Sequence, residues 1–111
     1  MRRLLGAVAL LSSLAGCGWN VGTAREAAAQ HSCSWYNKCS EIGSGKTYAS
    51  FDECLTQQRS FWLDAWSTAN CGTMNNSATD SCIAAIDNTQ CSNALDFLAT
   101  LSKCTSSSVC K

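Results

Sequence analysis

The sequence predicts an all-α fold, a small disulfide-rich bundle of about four short helices braced by four disulfides. Three observations support this prediction. The 111 residues contain no proline and nine cysteines. The alternation of β-branched residues that is typical of strands is absent. Capping patterns and apolar residues at helical spacing recur along the chain.

Two capping boxes predict the starts of the first two helices. In each box a hydroxyl side chain at the N-cap is followed three residues later by a carboxylate. The first box is Thr23 with Glu26, and we expect its helix to continue to about position 36. Glycines at 43 and 45 then interrupt the chain. The second box, Ser50 with Glu53, predicts a helix that ends near position 69.

Two more helices complete the predicted bundle. The third begins at Ser77 and continues through Asp87, and Ser92 could cap a fourth that ends near Lys103. The serine-rich tail at 105–108 is predicted to be a polar loop held by Cys110.

Apolar spacing indicates which helix faces are buried. The second helix carries a stripe, widened by Phe61, that consists of Phe51, Leu55, Trp62, Trp66 and Ala69. The third helix carries a shorter stripe of Cys82, Ile83 and Ile86. The stripe of the fourth helix, flanked by Phe97, is Cys91, Ala94, Leu95, Leu98, Leu101 and Cys104. Because cysteines lie within these stripes, we expect the disulfides to join helices.

An even number of cysteines in a short exported chain is typical of a disulfide framework. Apart from Cys17, the chain has eight, namely Cys33, Cys39, Cys54, Cys71, Cys82, Cys91, Cys104 and Cys110. The sequence leaves their connectivity open. Bridges that close the turns between consecutive helices are favoured, which gives Cys39–Cys54 and Cys82–Cys91. The remaining four would then pair as Cys33–Cys71 and Cys104–Cys110.

The N-terminal residues have the layout of a signal peptide. Arg2 and Arg3 precede an apolar run at 4–14 that is too short to span a bilayer. The run ends in Leu14-Ala15-Gly16-Cys17, which resembles the cleavage box of bacterial lipoproteins. The resemblance implies removal of residues 1–16 and acylation of Cys17 on its thiol and its new amine. It also implies a lipidated tether at 17–22 ahead of a Cys-rich helical domain at 23–111.

Two other interpretations of the N-terminal run are weaker. A buried core helix does not explain the charged start and the small residues before Cys17. An ordinary secretory signal would leave Cys17 as an odd free thiol. The lipoprotein interpretation places the chain in the bacterial cell envelope, anchored to the membrane by lipid. Gly18 at the following position favours the outer membrane over the inner membrane.

Chemistry-bearing residues are few, and we expect neither a metal nor a cofactor. His31 is the only histidine, and no Cys-x-x-Cys occurs, so the spacing typical of zinc sites is missing. Asp52 and Glu53 are adjacent and would diverge by about 100° on a helix, so they do not form a catalytic pair. Without Arg2 and Arg3 the chain has six basic and eight acidic residues, and this formal balance of −2 gives no indication of nucleic acid as a partner.

Two stretches resemble a family of small, uncharacterised, Cys-rich lipoproteins that is common in myxobacteria. The first, ahead of Cys54, is Ile42-Gly43-Ser44-Gly45-Lys46-Thr47-Tyr48. The second, leading to Lys103-Cys104, is Cys91-Ser92-Asn93-Ala94-Leu95-Asp96-Phe97-Leu98. The resemblance covers roughly residues 24–110, and no activity follows from it, because none is assigned to that family.

The sequence therefore favours a non-enzymatic interaction or structural module, with an unidentified protein as its partner besides the membrane. Two alternatives stay open. An inhibitor of a secreted hydrolase would use the exposed turn at 43–48. A lipid- or sugar-binding module would use Trp62 and Trp66, which lie one helical turn apart, although such a pair is more often part of a core.

Overall fold

The computed structural model describes residues 18–92 and 102–111. The helices bounded within these residues are α1 (Val21–Lys38), α2 (Phe51–Ala65), α3 (Asn76–Asn88) and α4 (Ser106–Val109). Residues 102–104 are also helical. The β-bridges found in this part of the chain are isolated, Ile42 with Tyr48 and Met74 with Cys110. The predicted all-α class is confirmed.

Helix α1 begins earlier than the sequence predicted, because Asn20 rather than Thr23 is its N-cap. The side chain of Asn20 accepts a hydrogen bond from the Thr23 backbone N–H at 2.9 Å. In return, Thr23 Oγ1 accepts from the Asn20 N–H at 3.3 Å, which completes a capping box. Asparagine caps a helix at least as well as threonine. Thr23 therefore stabilises the helix start from inside the first turn.

Helix α2 starts as predicted but ends sooner. The Ser50 hydroxyl accepts from the Glu53 N–H at 3.1 Å, so this cap is confirmed. At the other end, Trp66 leaves the helical conformation with φ −117° and ψ 62°. Its carbonyl accepts from Arg25 Nε at 2.8 Å and from Arg25 Nη2 at 2.6 Å. The predicted extension to position 69 is wrong, because a residue of α1 takes the carbonyl at this end of α2.

Helix α3 lies close to its predicted position. Asn75 is its N-cap and accepts from the Ala78 N–H at 2.9 Å. The tail contradicts the predicted loop, because Ser106–Val109 forms the short helix α4 with Val109 buried. Most of the helix predicted from Ser92 to Lys103, with the apolar residues of its stripe between them, lies outside the described residues.

Helix α1 lies between the other two long helices, antiparallel to α2 and parallel to α3. Contacts at its start join Arg25 to the end of α2 and Trp19 to the start of α3. Contacts near its end join Cys33 to the first turn of α2 and His31 to the last turn of α3. We call the end with residues 18–20, 66–70 and 71–77 the N-terminal pole, and the end with residues 39–50 and 88–91 the loop pole.

The core lies between these helices and is built from tryptophans and small residues. Alanines on α1 allow close helix approach, and the aromatic and aliphatic groups of α2 and α3 pack against them. Its members include Ala24, Ala28, Ala29, Trp35, Trp62, Trp66, Ile83 and Ile86. The predicted stripe of α3 is confirmed. On α2, Phe61 is 43% exposed and does not widen the buried stripe, and Ala69 is exposed.

Four disulfides brace the bundle, as predicted, but every favoured pairing is wrong. The observed pairs are Cys33–Cys54, Cys39–Cys91, Cys71–Cys110 and Cys82–Cys104. Two of the favoured pairs, Cys39–Cys54 and Cys82–Cys91, closed turns between neighbouring helices, and the other two used the remaining cysteines. In the structure the antiparallel packing of α1 on α2 places Cys33 beside Cys54, with Cα atoms 5.8 Å apart. Cys39 is thereby left for the residue that follows α3.

Candidate functional site

The N-terminal pole fastens the start of the described chain to α3. The Trp19 backbone N–H donates to Asn76 Oδ1 at 2.9 Å, and its indole Nε1–H donates to Asp80 Oδ1 at 2.9 Å. Gly18 has φ +75°, and a Cβ at this position would lie 2.4 Å from Asn76 Nδ2. Only glycine fits this backbone and this close approach without a shift. We call these contacts of Gly18 and Trp19 with Asn76 and Asp80 the N-terminal clamp.

The clamp changes how the predicted tether is understood. Residues 18–20 are held on the domain, and Val21 and Gly22 are already part of α1. Trp19 also packs against the core cluster. The described part of the predicted tether is therefore folded against the domain. Cys17, the predicted acylation site, lies outside the described residues.

At the loop pole, the turn at 43–48 is exposed at its tip and fixed at its base. Gly43 N–H donates to the Tyr48 carbonyl at 2.8 Å, and Tyr48 N–H donates to the Glu41 carbonyl at 3.1 Å. The Thr47 hydroxyl donates to Glu41 Oε1 at 2.6 Å. Lys46 and its neighbours at 44–47 are exposed. The turn can therefore be presented to a partner without first becoming ordered.

Tyrosine and glutamine side chains hold this turn against the helices. Gln58, which is buried on α2, donates from Nε2 to the Tyr48 hydroxyl at 3.0 Å. The rings of Tyr36 and Tyr48 meet edge to face with centroids 5.0 Å apart. Burial, followed by the proximity of Tyr48, raises the pKa of Tyr36 to about 12. Sequence spacing missed Gln58, because a polar residue gives no apolar signal on a buried face.

Trp62 and Trp66 belong to the core. Their side chains are 2% and 0% exposed, and their ring centroids lie 4.7 Å apart. The Trp66 indole donates to the Cys104 carbonyl at 2.7 Å. Neither ring offers a free face, so the alternative of a lipid- or sugar-binding pair at these residues is wrong.

His31 has a carboxylate partner that the sequence did not reveal. Its Nδ1 lies 2.7 Å from Asp87 Oδ1, and the two side chains are 41% and 48% exposed. Lys38 Nζ also donates to the Asp87 carbonyl at 3.2 Å. These contacts link α1 to the last turn of α3. Within residues 18–92 and 102–111, no group of three or more His, Cys, Asp or Glu side chains could hold a metal ion.

A second polar link, between α1 and α2, was also missed. Arg59 donates to both carboxylate oxygens of Glu26, at 2.9 Å and 2.8 Å, and Gln30 donates to the same carboxylate. These bonds, with that of Arg59 the largest cause, lower the pKa of Glu26 to about 2. The sequence assigned Glu26 to a capping box instead. Asp52 and Glu53 are exposed on the first turn of α2, where acids favour the helix dipole.

The model of a family of unknown function, DUF6184, matches residues 33–111. The chain belongs to DUF6184. The region that matches DUF6184 begins at Cys33 and contains all eight cysteines of the four disulfides. It includes Asn76 and Asp80 of the N-terminal clamp, but not Gly18, Trp19 or the first two-thirds of α1. No curated protein and no solved structure matches the chain. Among the described residues, no helix has both the length and the apolar character needed to cross a membrane.

Proposed function

We propose that this DUF6184 protein is a lipid-anchored, non-enzymatic interaction or structural module of the bacterial cell envelope, of the small lipoprotein type that it resembles in myxobacteria. Cys17 would carry the lipid, and the domain would bind an envelope protein through its exposed surface. The outer membrane is the favoured location because Gly18, rather than an aspartate, follows the acylated cysteine.

The observation that best supports this proposal is the number of cysteines left outside the four disulfides. The chain has nine cysteines, and the eight within the described residues pair with one another. Each sulfur forms one disulfide, so this pairing leaves only the sulfur of Cys17, which is also the one that follows Leu14-Ala15-Gly16. Four disulfides in a small domain are typical of an oxidising compartment outside the cytosol.

The polar contacts of the described residues support a non-enzymatic role. Three groups that could serve chemistry are instead used to hold helices together. His31 contacts Asp87 between α1 and α3, Glu26 binds Arg59 between α1 and α2, and Arg25 binds the end of α2. A reactive thiol is not available among the described cysteines, because all of them are oxidised.

Metabolic labelling with an alkyne fatty acid tests the anchor. The full chain and a Cys17→Ala variant are expressed in a bacterium, and envelope fractions are analysed for label and for intact mass. We expect label and acyl mass on the wild-type chain, with residues 1–16 removed, and neither on Cys17→Ala. A Cys39→Ala/Cys91→Ala variant is the control, since it removes other sulfurs and should keep the label. Label that persists on Cys17→Ala would refute the acylation site.

Inhibition of a secreted hydrolase is a second candidate, favoured by the turn at 43–48. The turn is exposed at Lys46, and its base is fixed by backbone hydrogen bonds and by Gln58. Binding through a preformed loop loses little conformational entropy. The partner in this case would be a hydrolase whose site accepts a short basic loop.

Inhibition assays with a panel of secreted proteases and glycosidases test this candidate. We expect the purified protein to inhibit at least one of them, and Lys46→Ala to weaken the inhibition while leaving thermal stability unchanged. Gln57→Ala, on the exposed side of α2, is the matched control and should inhibit like the wild type. Equal inhibition by Lys46→Ala and the wild type would exclude the turn as the inhibitory element.

A further inference from the structure

We infer that the N-terminal pole is the surface that lies against the lipid bilayer, and that the loop pole is displayed away from it. The inference rests on the proposed acylation of Cys17. It adds an orientation, because a lipid anchor alone does not determine which face of a domain meets the membrane.

The N-terminal clamp supplies the orientation. Consecutive Cα atoms are about 3.8 Å apart, so an acyl group on Cys17 would be attached one residue from a fixed point of the domain. That point is Gly18, which is packed against Asn76 and followed by Trp19, with its hydrogen bonds to Asn76 and Asp80. A flexible spacer would let the domain rotate freely above the lipid. Here the described chain leaves no such spacer after Gly18.

The chemistry of the pole is compatible with lipid headgroups. The first turns of α1 and α3 both begin at this pole, and neither contains an acidic residue. Exposed side chains in this region include the neutral Asn20, Thr23 and Ser77 and the charged Asp80 and Lys111. Trp19 is half-buried, and its indole N–H is already satisfied by Asp80. Tryptophan with one satisfied polar edge and an apolar body is enriched at membrane interfaces.

The helix that begins at the opposite end of the bundle has acids in its first turn, unlike α1 and α3. The acidic residues Asp52 and Glu53 and the exposed turn with Lys46 lie at or next to the loop pole. Helix α1 has 18 residues, and at the usual rise per residue it separates the poles by about 27 Å. The orientation therefore places the charged, preformed turn well above the headgroups, where a soluble or envelope-bound partner can reach it.

Fluorescence quenching by brominated lipids tests the orientation. The full chain is expressed in a bacterium, and the processed product is purified from membranes and reconstituted into vesicles of phosphatidylethanolamine and phosphatidylglycerol with brominated acyl chains. We expect the lipids to quench tryptophan emission in the wild type, and Trp19→Phe to lose most of the quenchable part. Trp35→Phe is the control and should keep it, because Trp35 is buried toward the loop pole beside Thr89. Because the vesicles hold no other protein, this quenching cannot come from a protein partner.

A spacer variant tests whether the clamp is the cause. A flexible Gly/Ser insertion of about ten residues between Cys17 and Gly18 would span roughly 15–20 Å on average. We expect this variant to stay in the membrane while its Trp19 quenching is lost.

The outcomes separate the two proposals. An intact mass without acyl groups would refute the anchor, and the orientation with it. An acylated product whose Trp19 is not quenched would refute the orientation alone. Unchanged quenching in the spacer variant would show that the pole binds the bilayer without help from the clamp, which would overturn the inferred mechanism.

Discussion

Helix α1 is held differently by its two neighbours. Against α2 it is joined by the buried Cys33–Cys54 disulfide and by the hydrogen bonds of Arg25 to the Trp66 carbonyl. Against α3 the links lie at the ends and nearer the surface. They are the N-terminal clamp, the His31–Asp87 contact, and Cys39–Cys91, in which Cys91 is exposed.

The difference separates two contributions to stability. Closing a chain loop with a disulfide lowers the entropy of the unfolded state, and more so for a longer loop. A buried disulfide also fills space in the core. The α1–α2 bridge spans 21 residues of sequence and the α1–α3 bridge spans 52. Loop length and burial therefore rank the two bridges in opposite orders.

The largest effect is expected for the double variant Cys33→Ala/Cys54→Ala. Loss of loop closure lowers the free energy of unfolding by about 3 kcal/mol, and the space left by two fully buried sulfurs adds about 1–2 kcal/mol. For Cys39→Ala/Cys91→Ala, loop closure alone gives about 4 kcal/mol. Denaturant unfolding of both variants measures the order. A larger loss for Cys39→Ala/Cys91→Ala would show that loop length outweighs burial.

The disulfide expected to contribute more to stability, Cys33–Cys54, is also expected to be reduced later than Cys39–Cys91. Thiol–disulfide exchange requires access to a sulfur, and Cys91 is exposed whereas Cys33 and Cys54 are 0% exposed. We expect limited dithiothreitol under native conditions to open Cys39–Cys91 first, with Cys33–Cys54 opening only on unfolding. Alkylation followed by peptide mass mapping reads the order. Early labelling of Cys33 would contradict the assigned burial.

The two arginines that link α1 to α2 also differ in exposure, because the contact of Arg25 is partly buried and that of Arg59 is exposed. Arg25→Ala removes both donors from the Trp66 carbonyl, and a hydrogen bond from a charged group contributes about 1.5–3 kcal/mol. We expect a loss of stability in that range in chemical denaturation. Arg59→Ala removes only the exposed pair with Glu26 and should cost clearly less. Equal losses would mean that the end of α2 does not depend on Arg25.

Local sequence signals predicted the parts of the fold that local contacts determine. Ser50 caps α2 as expected, and the apolar spacing of Ile83 and Ile86 identified the buried face of α3. The end of α2 was not predictable in this way, because it is set by Arg25, which lies 41 residues before Trp66. The starts of the long helices depend on hydrogen bonds between residues three positions apart, whereas the end of α2 depends on a contact with another helix.

The cysteines show a similar limit. Their even number predicted four disulfides, but the partners of Cys33 and Cys39 follow from the antiparallel and parallel packing around α1. The other two pairs, Cys71–Cys110 and Cys82–Cys104, depend on where the C-terminal segment packs. The sequence states neither arrangement. The clamp is also non-local, since Trp19 and Asp80 are 61 residues apart. From the sequence, Gly18 indicated only that the proposed lipoprotein would be sorted to the outer membrane. Its positive φ and its contact with Asn76 are visible in the structure alone.

A smaller effect is expected at the α3 side of α1, from Gly18→Ala. A side chain at φ +75° is strained, and the new Cβ would lie 2.4 Å from Asn76 Nδ2. We expect a loss of about 1–2 kcal/mol in thermal or denaturant unfolding, with release of the clamp. Gly72→Ala is the matched control, because a Cβ there would meet nothing within 4 Å. Similar stability of the two variants would show that the clamp contributes little to folding.

The smallest effect concerns the pH dependence of the Glu26–Arg59 pair on the α2 side. The pKa of Glu26 is lowered to about 2 in the folded state, chiefly by Arg59. An unfolded chain binds a proton there near pH 4.5, so the contribution of the pair is complete above that pH and is lost as the pH falls toward 2. Because both side chains are about half exposed, solvent and salt reduce the change. Unfolding of Glu26→Gln and wild type between pH 5 and pH 2 should therefore converge at the acid end. Glu53→Gln, in the first turn of α2 and outside the Glu26–Arg59 pair, is the control and should keep the wild-type acid loss. A constant difference between Glu26→Gln and wild type across this range would show that Glu26 acts on stability through something other than its charge.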